Sequence, residues 1–185
     1  MEADFWHERW RRKEIGWHES AAHPFLTGHF AKLMLARGSR VFVPLCGKSL
    51  DIAWLLANGY RVAGAELSEI AITELFQELG VKPAITRLGK LAHYSARDID
   101  IFVGDIFDLT AAMLGPLEAI YDRAALVALP RPMREQYSLH LRNITRTAPQ
   151  LLITFEYNQQ LTSHPGLMTS IVPLRDGVAI SVKMS

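Results

Sequence analysis

Arg40-Val-Phe-Val-Pro-Leu-Cys-Gly-Lys-Ser49 is the stretch on which the fold turns. Residues 40–45 read as a short, continuous apolar run, the pattern of a strand buried on both faces of a parallel sheet. Ser49 then offers an N-cap with Asp51 in the first turn. Ile52, Leu55 and Leu56 recur at helical spacing, and Asn58-Gly59 closes the helix with residues that tolerate a left-handed backbone. Working outward, residues 60–67 form a second β-type run ending on Glu66. Ser68 caps a helix carrying Ile72, Leu75, Phe76 and Leu79 on one face, stopped by Gly80. The alternation continues with strands over 99–103 and 119–122, a helix whose Met133, Tyr137, Leu141 and Ile144 share a face, and a strand over 151–157. Five strands alternating with helices predict an α/β fold. Right-handed crossovers then give an open, mostly parallel sheet with helices on both faces, and ligands sit outside the carboxyl ends of its strands.

The 185 residues are enough for one domain with a sizeable core, and no repeat or Gly/Ser-rich linker divides them. Residues 1–38 read as an N-terminal lid or cap, 39–160 as the α/β core and 161–185 as a divergent tail. Hydrophobic residues make up 49% and charged residues 21%, which excludes global disorder. Twenty Lys and Arg against 19 Asp and Glu leave a net charge of +1, too balanced for a protein that neutralises nucleic-acid phosphates. The opening Met1-Glu2-Ala3-Asp4 lacks the pattern of a signal peptide, Cys46 has no disulfide partner, and the apolar runs at 124–130 and 151–155 are too short to span a bilayer. The expectation is a cytoplasmic monomer that acts on a small molecule.

The loop after the first strand ends in Gly47-Lys48-Ser49 like a phosphate loop, but Phe42 stands where that motif needs its first glycine. A dinucleotide fingerprint wants three glycines, and only Gly47 is present. What survives is a strand, a one-glycine turn, a helix, and Glu66 ending the next strand 19 positions after Gly47, the interval at which a carboxylate meets ribose hydroxyls. Gly47 lets a small polar group of a ligand pass close to the turn, and an ionised carboxylate accepts two hydroxyl hydrogen bonds. These are the needs of a nucleoside without phosphates, such as S-adenosylmethionine; the bland reading of Glu66 is a cap or a surface ion pair.

Asp105 and the Ile106 amide end the third strand, where either could face an adenine edge or simply make a β-to-α turn. Asp122-Arg123 ends the fourth; Arg123 is hard to explain as packing, although it could simply pair with Asp122. Three of the four tryptophans, Trp6, Trp10 and Trp17, fall within 13 residues, and Trp6 and Trp10 share a helical face. They fit a helix covering the sheet and a lid over a ligand equally well. The histidines offer no metal site: His18, His23 and His29 lack ligand spacing and read as surface or capping residues.

The motifs Phe5-Trp-His-Glu-Arg-Trp10, Ile15-Gly-Trp17-His18, Val43-Pro-Leu-Cys-Gly-Lys-Ser49, Gly64-Ala-Glu-Leu-Ser-Glu69, Gly104-Asp-Ile-Phe-Asp108, Tyr121-Asp-Arg-Ala-Ala125 and Leu152-Ile-Thr-Phe-Glu-Tyr157 resemble the thiopurine S-methyltransferase family of class I methyltransferases. The resemblance implies a Rossmann-like fold, S-adenosyl-L-methionine as cofactor, and an aromatic thiol such as a thiopurine as acceptor, with selenium or tellurium compounds as further acceptors. By position it places Trp10, Leu45, Glu66 and Arg123 at the cofactor, with Trp6, Asp105 and Ile106 nearby, and Trp17 and Arg123 at the acceptor. Arg123 would be the catalytic residue, favouring the acceptor's thiolate form.

The chain departs from the family at Asn158, where an Asp is usual, and again after Gly166. The 19 residues that follow Gly166 are too few for a helix plus a strand hairpin, so at most one edge strand over 178–184 is expected and the C-terminal edge should be incomplete. A late arginine of the family's acceptor pocket is absent. The alternative function is therefore a cofactor-binding protein with little or no turnover.

Overall fold

Alternation along the apolar strands sends their side chains into two different cores. In β1 (Arg40–Pro44), Val41 and Val43 face one side of the sheet and Phe42 the other, all buried. The same division runs through β2 (Arg61–Glu66), β5 (Ile99–Val103), β6 (Ala119–Arg123) and β7 (Gln150–Ile153). A continuous apolar run is what a strand covered on both faces requires. The structure is a computed structural model and describes residues 3–16, 18–153, 167–172 and 178–183.

On one face pack α2 (Pro24–His29), α3 (Leu50–Ala57) and α4 (Glu69–Glu78), through Leu26, Ile52, Leu55, Ile72 and Leu75. On the other lie α5 (Ala111–Leu114), α6 (Ala125–Ala128) and α7 (Arg131–Thr145), through Leu114, Leu126, Tyr137, Leu141 and Ile144. The expected caps are in place: Ser49 Oγ accepts from the Asp51 amide at 3.2 Å and Ser68 Oγ from the Ala71 amide at 3.4 Å. Preceding them all, α1 (Ala3–Arg12) carries the first tryptophans. No helix among the described residues is long and apolar enough to cross a membrane.

The strands run in the order β3-β4-β5-β2-β1-β6-β7-β9-β8. The five strands expected from the sequence are the central, mutually parallel ones. Strand order reverses between β1 and β6, which opens a crevice at their carboxyl ends. The two edges were not foreseen in this form. A hairpin of β3 (Ala84–Leu88) and β4 (Leu91–Ala96) joins antiparallel to β5. Its signal was present in the two-residue Gly89-Lys90 turn, with Gly89 at φ 60°.

At the opposite edge the expectation of at most one strand is corrected. Both β8 (Leu167–Val172) and β9 (Val178–Lys183) form, paired with each other and, through β9, with β7. Two strands of six residues fit where a helix plus a hairpin would not. The expected strand over 151–157 is seen as Gln150–Ile153; its remaining residues, and Asn158, lie outside the described residues.

Candidate active site

At the reversal of strand order the carboxyl ends of β1, β2, β5 and β6 open onto a cleft of about 370 Å³. Backbone geometry is unusual where β1 and β6 meet it. Leu45, just after β1, has φ 46°, and Ala124, just after β6, has φ 62°. For residues with a Cβ this left-handed conformation costs on the order of 1–2 kcal/mol, and it persists where the surroundings over-determine it. Both strained turns border the cleft.

Gly47 follows with φ 52°, and a Cβ placed there would lie 3.1 Å from the Trp10 ring. The glycine thus serves the turn and lets the indole pack on it. Trp10 is only 5% exposed and Trp6 is half-buried beside the same cleft. The covering and lid readings of α1 therefore meet in one helix: Trp10 packs on the loop while bordering the space a ligand would use. Trp17 lies outside the described residues.

Glu66 is buried at the end of β2. Its Oε2 accepts from the Gly47 amide at 2.8 Å and its Oε1 from the Ser68 amide at 2.9 Å. Burial pushes its carboxyl above the ordinary range, while the Ser68, Gly47 and Leu67 amides pull it back. The bland reading of Glu66 as a surface ion pair is corrected, since its partners are main-chain amides. Each oxygen thus accepts a short bond from a main-chain amide, Oε2 from Gly47 and Oε1 from Ser68. Lys48 is taken up elsewhere, its ammonium held by Glu78 at 2.7 Å and Glu74 at 2.9 Å, which raises its pKa. It is a loop lysine ion-paired to two glutamates of α4, in keeping with the failed phosphate-loop match.

After β5, Asp105 Oδ1 accepts from the Phe107 amide at 3.0 Å and starts a short 3-10 turn over Ile106–Asp108. Asp105 and Ile106 both border the cleft. Met133, in the first turn of α7, and Leu129, two residues before that helix, add an apolar wall not foreseen from the sequence.

Arg123 borders the cleft too, but its partner is not Asp122. Successive residues of a strand point to opposite faces. Asp122 turns to the α7 side, where its Oδ2 accepts from the Tyr137 hydroxyl at 2.7 Å. Tyr121 and Arg123 turn the other way, onto Asp51 at the start of α3. Arg123 Nε donates to Asp51 Oδ2 at 2.7 Å, Nη2 donates to Ser49 Oγ at 3.0 Å, and Nη1 lies 3.8 Å from Glu19. The Tyr121 hydroxyl donates to the same Asp51 oxygen at 2.9 Å. Burial and the Asp51 carboxylate hold that phenol well above its usual range. Asp51 had been read only as a first-turn acid; its partner 72 positions away leaves no local signal.

Of the histidines, His23 does cap α2, its Nδ1 accepting from the Phe25 amide at 3.2 Å, whereas His18 borders the cleft. Among the described residues no group of His, Cys, Asp or Glu is placed to hold a metal ion. Cys46 is buried, with burial and Glu66 pushing its thiol up, so it is not poised as a nucleophile.

Comparison with known proteins places this site in a family. Residues 1–171 match the family model for thiopurine S-methyltransferase. Among curated proteins, the thiopurine S-methyltransferase of Xanthobacter autotrophicus is 60% identical over 166 residues, covering 89% of this chain and 78% of that protein. That of Teredinibacter turnerae is 54% identical over 165 residues, covering 89% and 77%. Among solved structures, the 1,6-didemethyltoxoflavin-N1-methyltransferase of Burkholderia thailandensis, with S-adenosylhomocysteine bound, superposes with a TM-score of 0.68 at 14% identity, covering 99% of this chain and 87% of that one. A methyltransferase from Anabaena variabilis gives the same score, which supports the fold. The motif resemblance, the strand order and the sequence matches agree: the chain belongs to the thiopurine S-methyltransferase family and is an S-adenosylmethionine-dependent methyltransferase.

Proposed function

We propose that this methyltransferase acts on the sulfur of small aromatic thiols such as thiopurines, with selenium or tellurium compounds as further acceptors. The observation that carries the reading is that, among the described residues, Arg123 is the one arginine bordering a cleft whose walls are largely apolar and aromatic, among them Trp6, Leu129 and Met133. A flat ring buries well against such walls, and a guanidinium beside it favours a sulfur atom in its anionic form. Arg123 is thus proposed as the catalytic residue, with Trp17 and Arg123 facing the acceptor.

The residues present fit the cofactor. Glu66 borders the cleft as a carboxylate acceptor for the two ribose hydroxyls, and Gly47 borders the same space without a Cβ. Leu45 and Trp10 would cover the nucleoside, and the Asp105–Ile106 turn would meet the adenine edge. When bound, S-adenosylmethionine supplies a sulfonium methyl that is already activated. The chain's own residues therefore have to position and surround rather than form a covalent intermediate, and alignment of this kind is worth up to about 7–11 kcal/mol in favourable cases. Arg123 stabilises charge at the acceptor in a site from which the tryptophans exclude water.

Incubation with methyl-labelled S-adenosylmethionine and a panel of aromatic thiols, aliphatic thiols, selenite and tellurite tests the acceptor class. Label on the aromatic thiols is the expected result. Cofactor binding by calorimetry with no transfer to any aromatic thiol would overturn it.

A further inference from the structure

Asp51 is a carboxylate 1% exposed, yet it lies at the edge of the cleft and carries three strong hydrogen bonds. Oδ1 accepts from the His23 amide at 2.7 Å; Oδ2 accepts from the Tyr121 hydroxyl and from Arg123 Nε. A buried acid in the first turn of a helix needs no such set of partners to serve the helix. The arrangement follows from register: Tyr121 and Arg123 are two apart on β6 and so share the face that meets α3. Asp51 and Ser49, on either side of the start of α3, then engage Nε and Nη2, which form one edge of the planar guanidinium. That edge is locked, while Nη1, at the outer end of the fork, lies 3.8 Å from Glu19, and the residue as a whole borders the cleft.

The third bond reaches the N-terminal segment. His23 caps α2, and its backbone amide is tied to Asp51; Glu19, four residues earlier, lies 3.7 Å from the His23 ring and 3.8 Å from Arg123 Nη1. Residues 19–23 and Arg123 therefore share one fixed point.

We propose that Asp51 is the positioning residue for Arg123, holding the guanidinium edge-on so that its outer end, Nη1, is turned to the acceptor, and seating the 19–23 segment beside it through the His23 amide. This rests on the proposed place of Arg123 at the acceptor. An amide at position 51 cannot reproduce the arrangement. One of its two atoms would be a donor, and on either side of the present carboxylate it would face another donor, the His23 amide or the Tyr121 and Arg123 pair.

The test is a double-mutant cycle with Asp51→Asn, Arg123→Lys and the combined variant. Thiol transfer is measured per folded molecule, with folded protein counted by calorimetric binding of S-adenosylhomocysteine. Asp51→Asn should lower kcat/KM for the thiol by about a hundredfold, as a displacement of roughly an ångström does, with a smaller change in S-adenosylhomocysteine affinity. In the Arg123→Lys background the same change should cost no more than about threefold, because the geometry it protects is already gone. Full turnover by Asp51→Asn, or equal losses in both backgrounds, would overturn the positioning role while leaving Arg123 at the acceptor. Full turnover by Arg123→Lys would remove the acceptor reading and this one with it. Should Asp51→Asn not fold, Asp51→Glu keeps the charge and shifts it by one methylene: a changed kcat or KM for the thiol supports positioning, and wild-type values for both refute it.

Discussion

The two faces of β6 each hold a buried aspartate, and the two are held in different ways. Asp51, reaching the face of Tyr121 and Arg123, is 1% exposed and meets a guanidinium, a phenol and a main-chain amide. Asp122, on the opposite face, is equally buried and accepts from the Tyr137 hydroxyl, with no cation beside it among the ion pairs of the described residues. Burial pushes the Asp122 carboxyl up to about 6, against a partial pull from Tyr137 and the Ala125 and Leu126 amides. Burial alone does not tell what a carboxylate is for. The one with a cation sits where the cleft opens, and the one with a phenol sits in the packing between sheet and α7.

The largest expected effect comes from breaking the cation side of this pair. Arg123→Met leaves Asp51 buried without its counter-charge, a loss of about 3–5 kcal/mol for a fully buried pair. The guanidinium side chain keeps 16% of its exposure, which places the expectation at the lower end, about 3 kcal/mol. Urea unfolding reads this directly; a loss below about 1 kcal/mol would reduce the pair to the value of an exposed one and erase the contrast.

On the other face the contrast appears as a pH dependence. Because the folded pKa of Asp122 is raised, the native state binds the proton more tightly than the unfolded chain does. The stability from that proton is full below about 3.8, falls as pH rises, and is gone above about 6. A shift of about two units corresponds to about 3 kcal/mol at most. Glu66, raised by burial as well, contributes a slope of the same sign, so the wild type has to be compared with Asp122→Asn. The difference in unfolding free energy between the two should change across that window and be flat above it; a constant difference from pH 4 to 8 would show that Asp122 stays ionised.

Glu66 sharpens the comparison as a third buried carboxylate, one held by main-chain amides at the end of a strand. Glu66→Gln must turn an amide donor toward Gly47 or Ser68 and gives up charge-assisted bonds to ribose, each at about 1.5–3 kcal/mol. S-adenosylhomocysteine should bind roughly tenfold to a hundredfold more weakly per folded molecule by calorimetry. Unchanged affinity would class Glu66 with Asp122 as a carboxylate of the fold.

Much of this architecture was legible without coordinates. The apolar run at Val41–Phe42–Val43, the Ser49 and Ser68 caps and the Asn58-Gly59 stop are signals in consecutive residues, and the structure has strands, caps and helix ends at those points. Strand alternation with helices put the site at the carboxyl ends, and Leu45, Gly47, Glu66, Asp105, Ile106 and Arg123 all border the cleft found there. What was misjudged involved pairing at a distance. The bland alternative for Arg123, a pair with its neighbour Asp122, overlooks that a two-residue period sends neighbours to opposite faces. The C-terminal edge is measured from sequence against the helix and hairpin that the resemblance implies, whereas its own residues make β8 and β9.

By itself the sequence determined the five central strands and the helices that alternate with them, the turn with Gly47 and the carboxylate that ends β2. Periodicity and capping are set by residues a few positions apart, and such contacts are written into the chain. Which carboxylate holds Arg123 was decided only by the tertiary structure. Asp51 and Arg123 are 72 positions apart and meet because β1 lies between β2 and β6, which brings the helix that starts after β1 over the face of β6 that carries Tyr121 and Arg123. Strand order and register fix such meetings, and neither can be read from residue types along the chain.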